Sequence, residues 1–271
     1  LKRSIVLATM LLLLLSVGVF AANYGEAPTL NALVVEGKLQ PVEERLPIDP
    51  LVLEPVESIG QYGGTVHVVH MNPGALEDGI NFNGYEPMFR ISREDYRTII
   101  PNLATSYEYT NEGKTLTLNL RQGVRWSDGY PFTVDDIIFW FEDVMGNDEI
   151  TPVKPVAWTP GGQQPKLTKI DDYTIQFDFA VPFPVAHMYL AHQHGVQGAF
   201  YLPKHYLQQF HIKYTPQEEV ERIAKENNYD TWWKFFQARQ MSTAISAMIH
   251  PDMPVLRAFK VVTNEPSGKV L

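Results

Sequence analysis

Residues 118–138 read LNLRQGVRWSDGYPFTVDDII, and they specify a strand, a sharp turn and a capped helix in quick succession. Leucines alternate with polar residues at the start of the segment, and Gly123 ends the predicted strand. The turn that follows needs a positive φ at Gly129. Thr133 then has the position of a helix N-cap, and Asp136, three residues on, completes an acidic variant of the capping box. A strand joined to a helix in this way favours a fold that mixes both element types.

Alternation of apolar and polar residues predicts two β-hairpins. The first turns at residues 111–114 and the second at Asp171-Asp172. A period of two places the leucines of the first hairpin on one buried face of the sheet. The alternating apolar residues are Tyr107, Tyr109, Leu116, Leu118 and Leu120 in the first hairpin, and Tyr173, Ile175, Phe177 and Phe179 in the second.

Caps and apolar spacing predict four helices. A short helix spans 29–37, with Gly37 as its stop, and another spans 135–145 behind the Thr133 cap. A third begins at Thr215, the predicted cap, with Pro216 at the first helical position, and ends near residues 227–228. A fourth runs from Asp230 or Thr231 to about Arg239. Strands and helices are mixed without strict alternation, so the predicted fold class is α/β in the broad sense, a mixed α+β arrangement.

Composition excludes several classes of function. The formal net charge is −9, so the chain lacks the basic footprint on which nucleic-acid binding depends. There is no cysteine, which excludes disulfides, thiolate metal sites, a cysteine nucleophile and a lipidated N-terminal cysteine. Aromatic residues make up 12% of the sequence.

The N-terminus has the pattern of a secretory signal peptide in residues 1–21. Lys2 and Arg3 precede an apolar run over residues 5–20, and Ala21 and Ala22 supply the small residues of a cleavage site. An N-terminal membrane anchor is the alternative, but the run is shorter than a membrane span requires and ends in a cleavage-like site. We therefore predict cleavage after Ala21 and a periplasmic or otherwise extracytoplasmic location.

A proline-rich extension is predicted over residues 22–64, and the main domain over residues 65–262. The domain opens with a predicted buried strand at 65–70 and a glycine- and asparagine-rich loop at 72–85. The sequence has no nucleophile elbow, phosphate-binding loop, dinucleotide-binding glycine motif or zinc-protease motif. We therefore predict no enzyme activity and no cofactor.

Two groups of residues could nevertheless indicate a metal site or acid–base chemistry. His187, His192 and His194 lie close together, but no further ligand is placed beside them, so we favour ordinary hydrogen-bonded histidines over a metal site. The pair Asp135-Asp136 falls in the first turn of a helix, and Asp171-Asp172 falls in a hairpin turn. Both positions favour aspartate for structural reasons.

The segment 118–138 resembles the extracellular solute-binding proteins, family 5, of ATP-binding-cassette importers. Two further stretches, 85–89 and 101–104, and the lead-in 37–65 are similar to the same family. The resemblance covers residues 26–262. The positions that match the family's signature are Leu120, Arg121, Gly123, Val124, Trp126, Ser127, Asp128, Gly129, Pro131, Phe132, Thr133, Asp135, Asp136 and Ile137.

This resemblance implies a periplasmic-binding-protein-like clamshell, in which a solute is enclosed between two lobes. The chain would supply the first lobe with its β-rich subdomain, and residues 263–271 would be a truncated C-terminal end, with the second lobe largely missing. The implied function is capture of a peptide and its delivery to an ABC transporter permease. An oligosaccharide is the alternative solute, and an exported hydrolase is a less favoured class. A monomer without nucleic-acid partners is expected.

By the same resemblance, the loop after the first strand and the segments facing the cleft are candidates for contact with the solute. Each candidate residue has an alternative role in a turn, the core or a loop. We interpret Trp126, Trp232, Trp233, Phe235 and Phe236 as packing residues. The candidate solute contacts are Asn72, Asn81, Tyr85, Trp158 and His194.

Overall fold

The computed structural model describes residues 24–65, 86–191, 200–240 and 252–256. It divides into two compact units, residues 1–44 and 45–271. The predicted signal peptide, the strand predicted at 65–70 apart from its first residue, and the loop predicted at 72–85 lie outside the described residues. The division at 44/45 falls inside the proposed extension 22–64, and the predicted domain bounds stay predictions.

The first unit contains helix α1 (Pro28–Val35), which has a proline at its start. Gly37 has φ 68°, a left-handed conformation that ends the helix as its position predicts. A short helix, α2 (Val42–Arg45), follows.

In the described part of the second unit, the strands form two antiparallel sheets. The smaller sheet pairs β1 with β2, and the larger has the strand order β3-β4-β6-β5, so that the two predicted hairpins lie side by side through β4 and β6. The strands are β1 (Phe89–Ile91), β2 (Ile99–Pro101), β3 (Ala104–Thr110), β4 (Thr115–Leu120), β5 (Lys166–Lys169) and β6 (Thr174–Asp178).

Both predicted hairpins are confirmed, and the structure gives their register. Tyr107 pairs with Leu118 across β3 and β4, and Leu118 pairs with Ile175 across β4 and β6. Leu118, Ile175 and Phe177 are each fully buried. The period of two therefore places one face of the sheet in the core, as the alternation predicts.

The described residues of the second unit also form helices and short 3₁₀ segments. The 3₁₀ segments are Asn111–Gly113, Val156–Trp158, Pro160–Gly162 and Gln208–Phe210. The helices are α3 (Val134–Ile138), a π-helix over Phe139–Met145, α4 (Ala186–Ala191), α5 (Lys204–Leu207), α6 (Gln217–Glu226) and α7 (Trp232–Arg239).

The helix predicted over 135–145 is α-helical only in its first part. Its capping box is confirmed, but Phe139–Met145 is wound as a π-helix, and Gly146 donates its N–H to the Phe141 carbonyl five residues back. Asp143 in this segment is buried, and its carboxylate accepts hydrogen bonds from Lys213 Nζ and Tyr214 Oη. The π-helical winding of this segment coincides with its contacts to residues that are distant in sequence. The local spacing of apolar residues does not predict those contacts.

The cap predicted for the third helix is wrong. Pro216, rather than Thr215, occupies the N-cap position of α6, and no side chain caps that end. The Thr215 hydroxyl instead donates to the Gln208 carbonyl, 3.4 Å away. The fourth predicted helix is confirmed as α7, which ends at Arg239 as predicted, and Thr231 Oγ1 caps its start by accepting a hydrogen bond from Lys234 N.

An aromatic-rich core joins the sheet to these helices. Phe177 of β6 lies 5.4 Å from Phe141 of the π-helix, measured between ring centroids. Trp126, Trp232, Phe235 and Phe236 are buried, as predicted for packing residues, whereas Trp233 is only partly buried. The mixed α/β fold class is confirmed.

Candidate functional site

The structure describes one of the five predicted solute contacts. Asn72, Asn81, Tyr85 and His194 lie outside the described residues. Trp158 is described and is 1% exposed, with its ring centroid 5.2 Å from that of Phe141. This is the packing role given as the alternative for Trp158. Its role as a solute contact stays a prediction.

Residues 66–85 and 192–199, which lie outside the described residues, are followed in sequence by residues that lie together at one edge of the core. Met88, just after residues 66–85, donates its N–H to the Leu190 carbonyl at 3.1 Å. The Tyr201 hydroxyl, just after residues 192–199, donates to the Glu86 carbonyl at 2.6 Å. The stretches that carry four of the five predicted contacts are therefore flanked by residues that bond to one another.

A polar group, which we call the edge cluster, lies at this place and consists of Glu86, Arg90 and Asn102. The Glu86 carboxylate accepts from Arg90 Nη2 at 2.7 Å and from Asn102 Nδ2 at 2.5 Å. The Glu86 side chain is 23% exposed and that of Arg90 is 37% exposed. The cluster is thus ordered by its own bonds yet open to water, so it can hydrogen-bond a polar molecule.

Sequence reasoning did not single out the edge cluster as a site. Glu86 and Asn102 lie in the two short stretches that resemble the family, and this was the available signal. Their pairing across 16 residues of sequence depends on the β1–β2 hairpin bringing both strands together.

The family-like segment is organised around the buried carboxylate of Asp136, which is 4% exposed. Its Oδ2 accepts from Trp126 Nε1 and from Thr133 N, both at 3.1 Å, and its Oδ1 accepts from Lys204 N at 3.0 Å. One side chain therefore ties the turn, the helix cap and the start of α5 together. This explains why Trp126 packs in the core.

The neighbouring turn anchors two more segments. Ser127 donates its N–H to the Val255 carbonyl at 2.9 Å and accepts from Val255 N through its hydroxyl at 3.1 Å. The Asp128 carboxylate lies 2.8 Å from His205 Nε2, and the His205 ring stacks on Tyr130 with centroids 4.1 Å apart. Residues 252–256 are held to the core through this turn.

Residues 47–49 are held at the other end of the same segment, by Arg121 and Gly123. The buried Arg121 donates to the carbonyls of Asn102 and Asp49. Gly123 has φ 82°, and a β-carbon added there would lie 3.1 Å from Ile48 N. Glycine is therefore required here both by the backbone angle and by the close approach of residues 47–49.

The paired aspartates have structural partners. Asp135 Oδ2 lies 2.9 Å from Lys169 Nζ, and Asp171 Oδ1 accepts from Tyr173 N in the hairpin turn. Within the described ranges, no group of three or more histidine or carboxylate side chains could hold a metal ion. His187 instead bonds to the Tyr109 hydroxyl, 3.2 Å from its Nδ1.

Burial raises the pKa of Asp136 to about 6, because loss of solvation outweighs its three hydrogen-bond donors. The folded protein then keeps this proton at pH values where the unfolded chain has lost it. We expect the contribution of Asp136 to the free energy of unfolding to fall by about 2–3 kcal/mol as the pH rises from about 4 to about 6. Carboxyl carbon shifts measured by NMR should show Asp136 titrating near pH 6, and a midpoint near 4 would contradict this.

The family model described as "Bacterial extracellular solute-binding proteins, family 5 Middle" matches residues 98–238. The chain belongs to this family.

Named relatives agree with this assignment. The chain is 32% identical over 201 residues to the "Periplasmic alpha-galactoside-binding protein" of Rhizobium meliloti (strain 1021), a match that covers 67% of this chain and 28% of that protein. A solved structure of "oligopeptide-binding protein OppA" is 38% identical with a TM-score of 0.77, covering 90% of this chain and 36% of the other. The periplasmic binding protein MelB of Agrobacterium fabrum C58, solved with stachyose, is 28% identical with a TM-score of 0.66, covering 91% and 36%.

The chain thus spans about a third or less of the length of these relatives. All three relatives are named as binding proteins, and two of the names describe the protein as periplasmic. In the part of the chain that the structure describes, no helix has the length and apolar character to cross a membrane.

Proposed function

We propose that the protein acts as an extracytoplasmic receptor that binds a small peptide and passes it to an ABC transporter permease. The observation that carries this proposal is the likeness to the oligopeptide-binding protein OppA, 38% identical over 90% of this chain. Membership of the solute-binding family supports it. On this proposal the protein is exported by cleavage after Ala21, works as a monomer without a cofactor and is not an enzyme.

The edge cluster supports a binding role. Glu86 and Arg90 offer a carboxylate and a guanidinium group at a partly open position, and these groups suit the charged or polar ends of a peptide. We extend the proposed solute contacts from Asn72, Asn81, Tyr85, Trp158 and His194 to include this pair.

A galactose-containing oligosaccharide is the second candidate solute. It is favoured by the likeness to the alpha-galactoside-binding protein and to the MelB structure that holds stachyose. Sugar hydroxyls also hydrogen-bond to carboxylate and guanidinium groups, so the edge cluster fits this solute too.

Thermal unfolding with added solutes tests the proposal and separates the candidates. We expect a set of di- and tripeptides to raise the melting temperature, because a solute at 100 times its Kd stabilises the folded state by about 2.7 kcal/mol. Stachyose is the comparison solute. A rise with stachyose alone would assign the second candidate, and no rise with either class would refute the receptor function.

The variant Glu86→Gln tests the edge cluster in the same assay. The substitution removes the charge that pairs with Arg90, and we expect solute binding to weaken about tenfold. Glu94→Gln is the matched control, because Glu94 is exposed in the neighbouring loop. Equal affinity for the two variants would remove Glu86 from the site.

A further inference from the structure

The Glu86 carboxylate of the edge cluster is held through one of its two oxygens. Its Oε1 accepts both from Arg90 Nη2 at 2.7 Å and from Asn102 Nδ2 at 2.5 Å. Among the described residues, Oε2 has no hydrogen-bond donor, and the side chain is partly exposed. An ionised carboxylate only accepts hydrogen bonds, so Oε2 can take one from an N–H or O–H group of a solute.

The main chain that carries this carboxylate is held separately. The Tyr201 hydroxyl donates to the Glu86 carbonyl at 2.6 Å, and Asn102 Nδ2 donates to the next carbonyl, that of Pro87, at 2.7 Å. Two consecutive carbonyl groups are therefore fixed by side chains that lie 115 and 15 residues away in sequence.

Tyr201 is itself fixed by packing against the segment that resembles the family. It is 5% exposed, and its ring centroid lies 5.2 Å from that of Phe132 and 5.9 Å from that of Trp126. The Trp126 indole in turn donates to the buried Asp136 carboxylate. Tyr201 therefore connects a well-packed part of the core to the edge cluster through its hydroxyl.

The hydroxyl group of Tyr201 is not needed for this ring packing. A phenylalanine would keep the contacts with Trp126 and Phe132 but would lose the bond to the Glu86 carbonyl. Binding groups hold one geometry when buried residues behind them form hydrogen bonds to them. A contact that is ordered before the solute arrives costs less entropy on binding, so affinity rises.

We propose that Tyr201 is a positioning residue for solute binding, whose hydroxyl holds the main chain of Glu86 so that Glu86 Oε2 meets a hydrogen-bond donor of the solute. This inference rests on the proposed receptor function and deepens it by naming the contact atom. The donor is an N–H group in a peptide and an O–H group in an oligosaccharide, and a carboxylate accepts from both. Tyr201 acts through Glu86 without touching the solute.

The test measures solute affinity of the full chain by isothermal titration calorimetry. The probes are the same di- and tripeptides and stachyose, which supply the two types of donor. We expect Tyr201→Phe to weaken binding about fivefold, because Glu86 loses a bond that fixes its position. The melting temperature should fall by about 2–4 °C, as expected for one lost hydrogen bond.

Tyr214→Phe is the matched control. The Tyr214 hydroxyl donates to the buried Asp143 carboxylate, so this variant also loses a hydroxyl hydrogen bond, but at the π-helix. We expect a similar fall in melting temperature with unchanged solute affinity. A merely structural role of Tyr201 would instead give the two variants the same affinity.

A double variant shows whether Tyr201 acts through Glu86. Glu86→Gln alone is expected to weaken binding about tenfold. If Tyr201 only positions this side chain, adding Tyr201→Phe should weaken binding by less than about twofold more. Independent effects of the two residues would multiply to about fiftyfold.

Three results would overturn the inference and leave the receptor function standing. They are unchanged affinity in Tyr201→Phe, an equal loss of affinity in Tyr214→Phe, and multiplied losses in the double variant. Failure of the unmodified protein to bind any of the probes is a different outcome, because it would refute the receptor function and the inference together.

Discussion

Replacing Asp136 by alanine is expected to lower the free energy of unfolding by about 3 kcal/mol at pH 7, since it leaves three buried donors without an acceptor. The donors are the Trp126 indole and the backbone N–H groups of Thr133 and Lys204. Relief of the buried charge offsets only part of this cost. Chemical denaturation followed by tryptophan fluorescence measures the change, and the loss should be larger at pH 5 than at pH 7, because protonated Asp136 is the more stable form.

Asp135→Ala is the natural control for this prediction. Asp135 is the adjacent carboxylate on the same helix turn, but its side chain is 44% exposed and pairs with Lys169 at the surface. Its removal should cost less than about 1 kcal/mol. If the two variants lost equal stability, Asp136 would not hold the segments together in the way its contacts indicate.

The second large effect is expected at Gly123. Gly123→Ala should lower the free energy of unfolding by about 3 kcal/mol, because a β-carbon is disfavoured at φ 82° and approaches Ile48 N to 3.1 Å. Residues 47–49 should also be displaced. We therefore expect trypsin to cut faster after Arg45 in the variant than in the unmodified protein.

The variant Gly129→Ala separates the effect of the backbone angle from the effect of the close approach to Ile48. Gly129 has a similar φ of 88°, but nothing lies within 4 Å of a β-carbon built there. The control should lose only about 1–2 kcal/mol from backbone strain, with unchanged cleavage after Arg45. Faster cleavage in both variants would mean that the close approach at Gly123 does not hold residues 47–49.

The parts of the fold that could be predicted depend on residues that are close together in sequence. Alternation of apolar and polar residues determines which face of a strand is buried. The burial of Leu118 and Phe177 could therefore be predicted from the sequence. The cap at Thr133 depends on residues within one turn of it. Thr215 has an equally good local pattern, but its hydroxyl bonds to the Gln208 carbonyl in the preceding turn instead of capping the helix.

Contacts distant in sequence explain what could not be predicted. The bond from Lys204 N to Asp136 joins residues 68 positions apart, and the bond from Tyr214 to Asp143 joins residues 71 positions apart. Neither pair leaves a periodic trace in the sequence. The edge cluster was missed for the same reason, because Glu86 meets Asn102 only after the β1–β2 hairpin forms.

The hydrogen bond by which Arg121 holds residues 47–49 has a consequence for evolution and for protein engineering. Its guanidinium group bonds to the main-chain oxygen of Asp49, which every amino acid possesses, and also lies 3.5 Å from the Asp49 carboxylate, whose side chain is 92% exposed. Because an ion pair to so exposed a carboxylate contributes little, residue 49 can be replaced at small cost, whereas inserting or deleting one residue between 45 and 49 would shift the main-chain oxygen away from the arginine. Sequence tags and fusions should accordingly be joined upstream of residue 45, with the spacing to Gly123 kept intact.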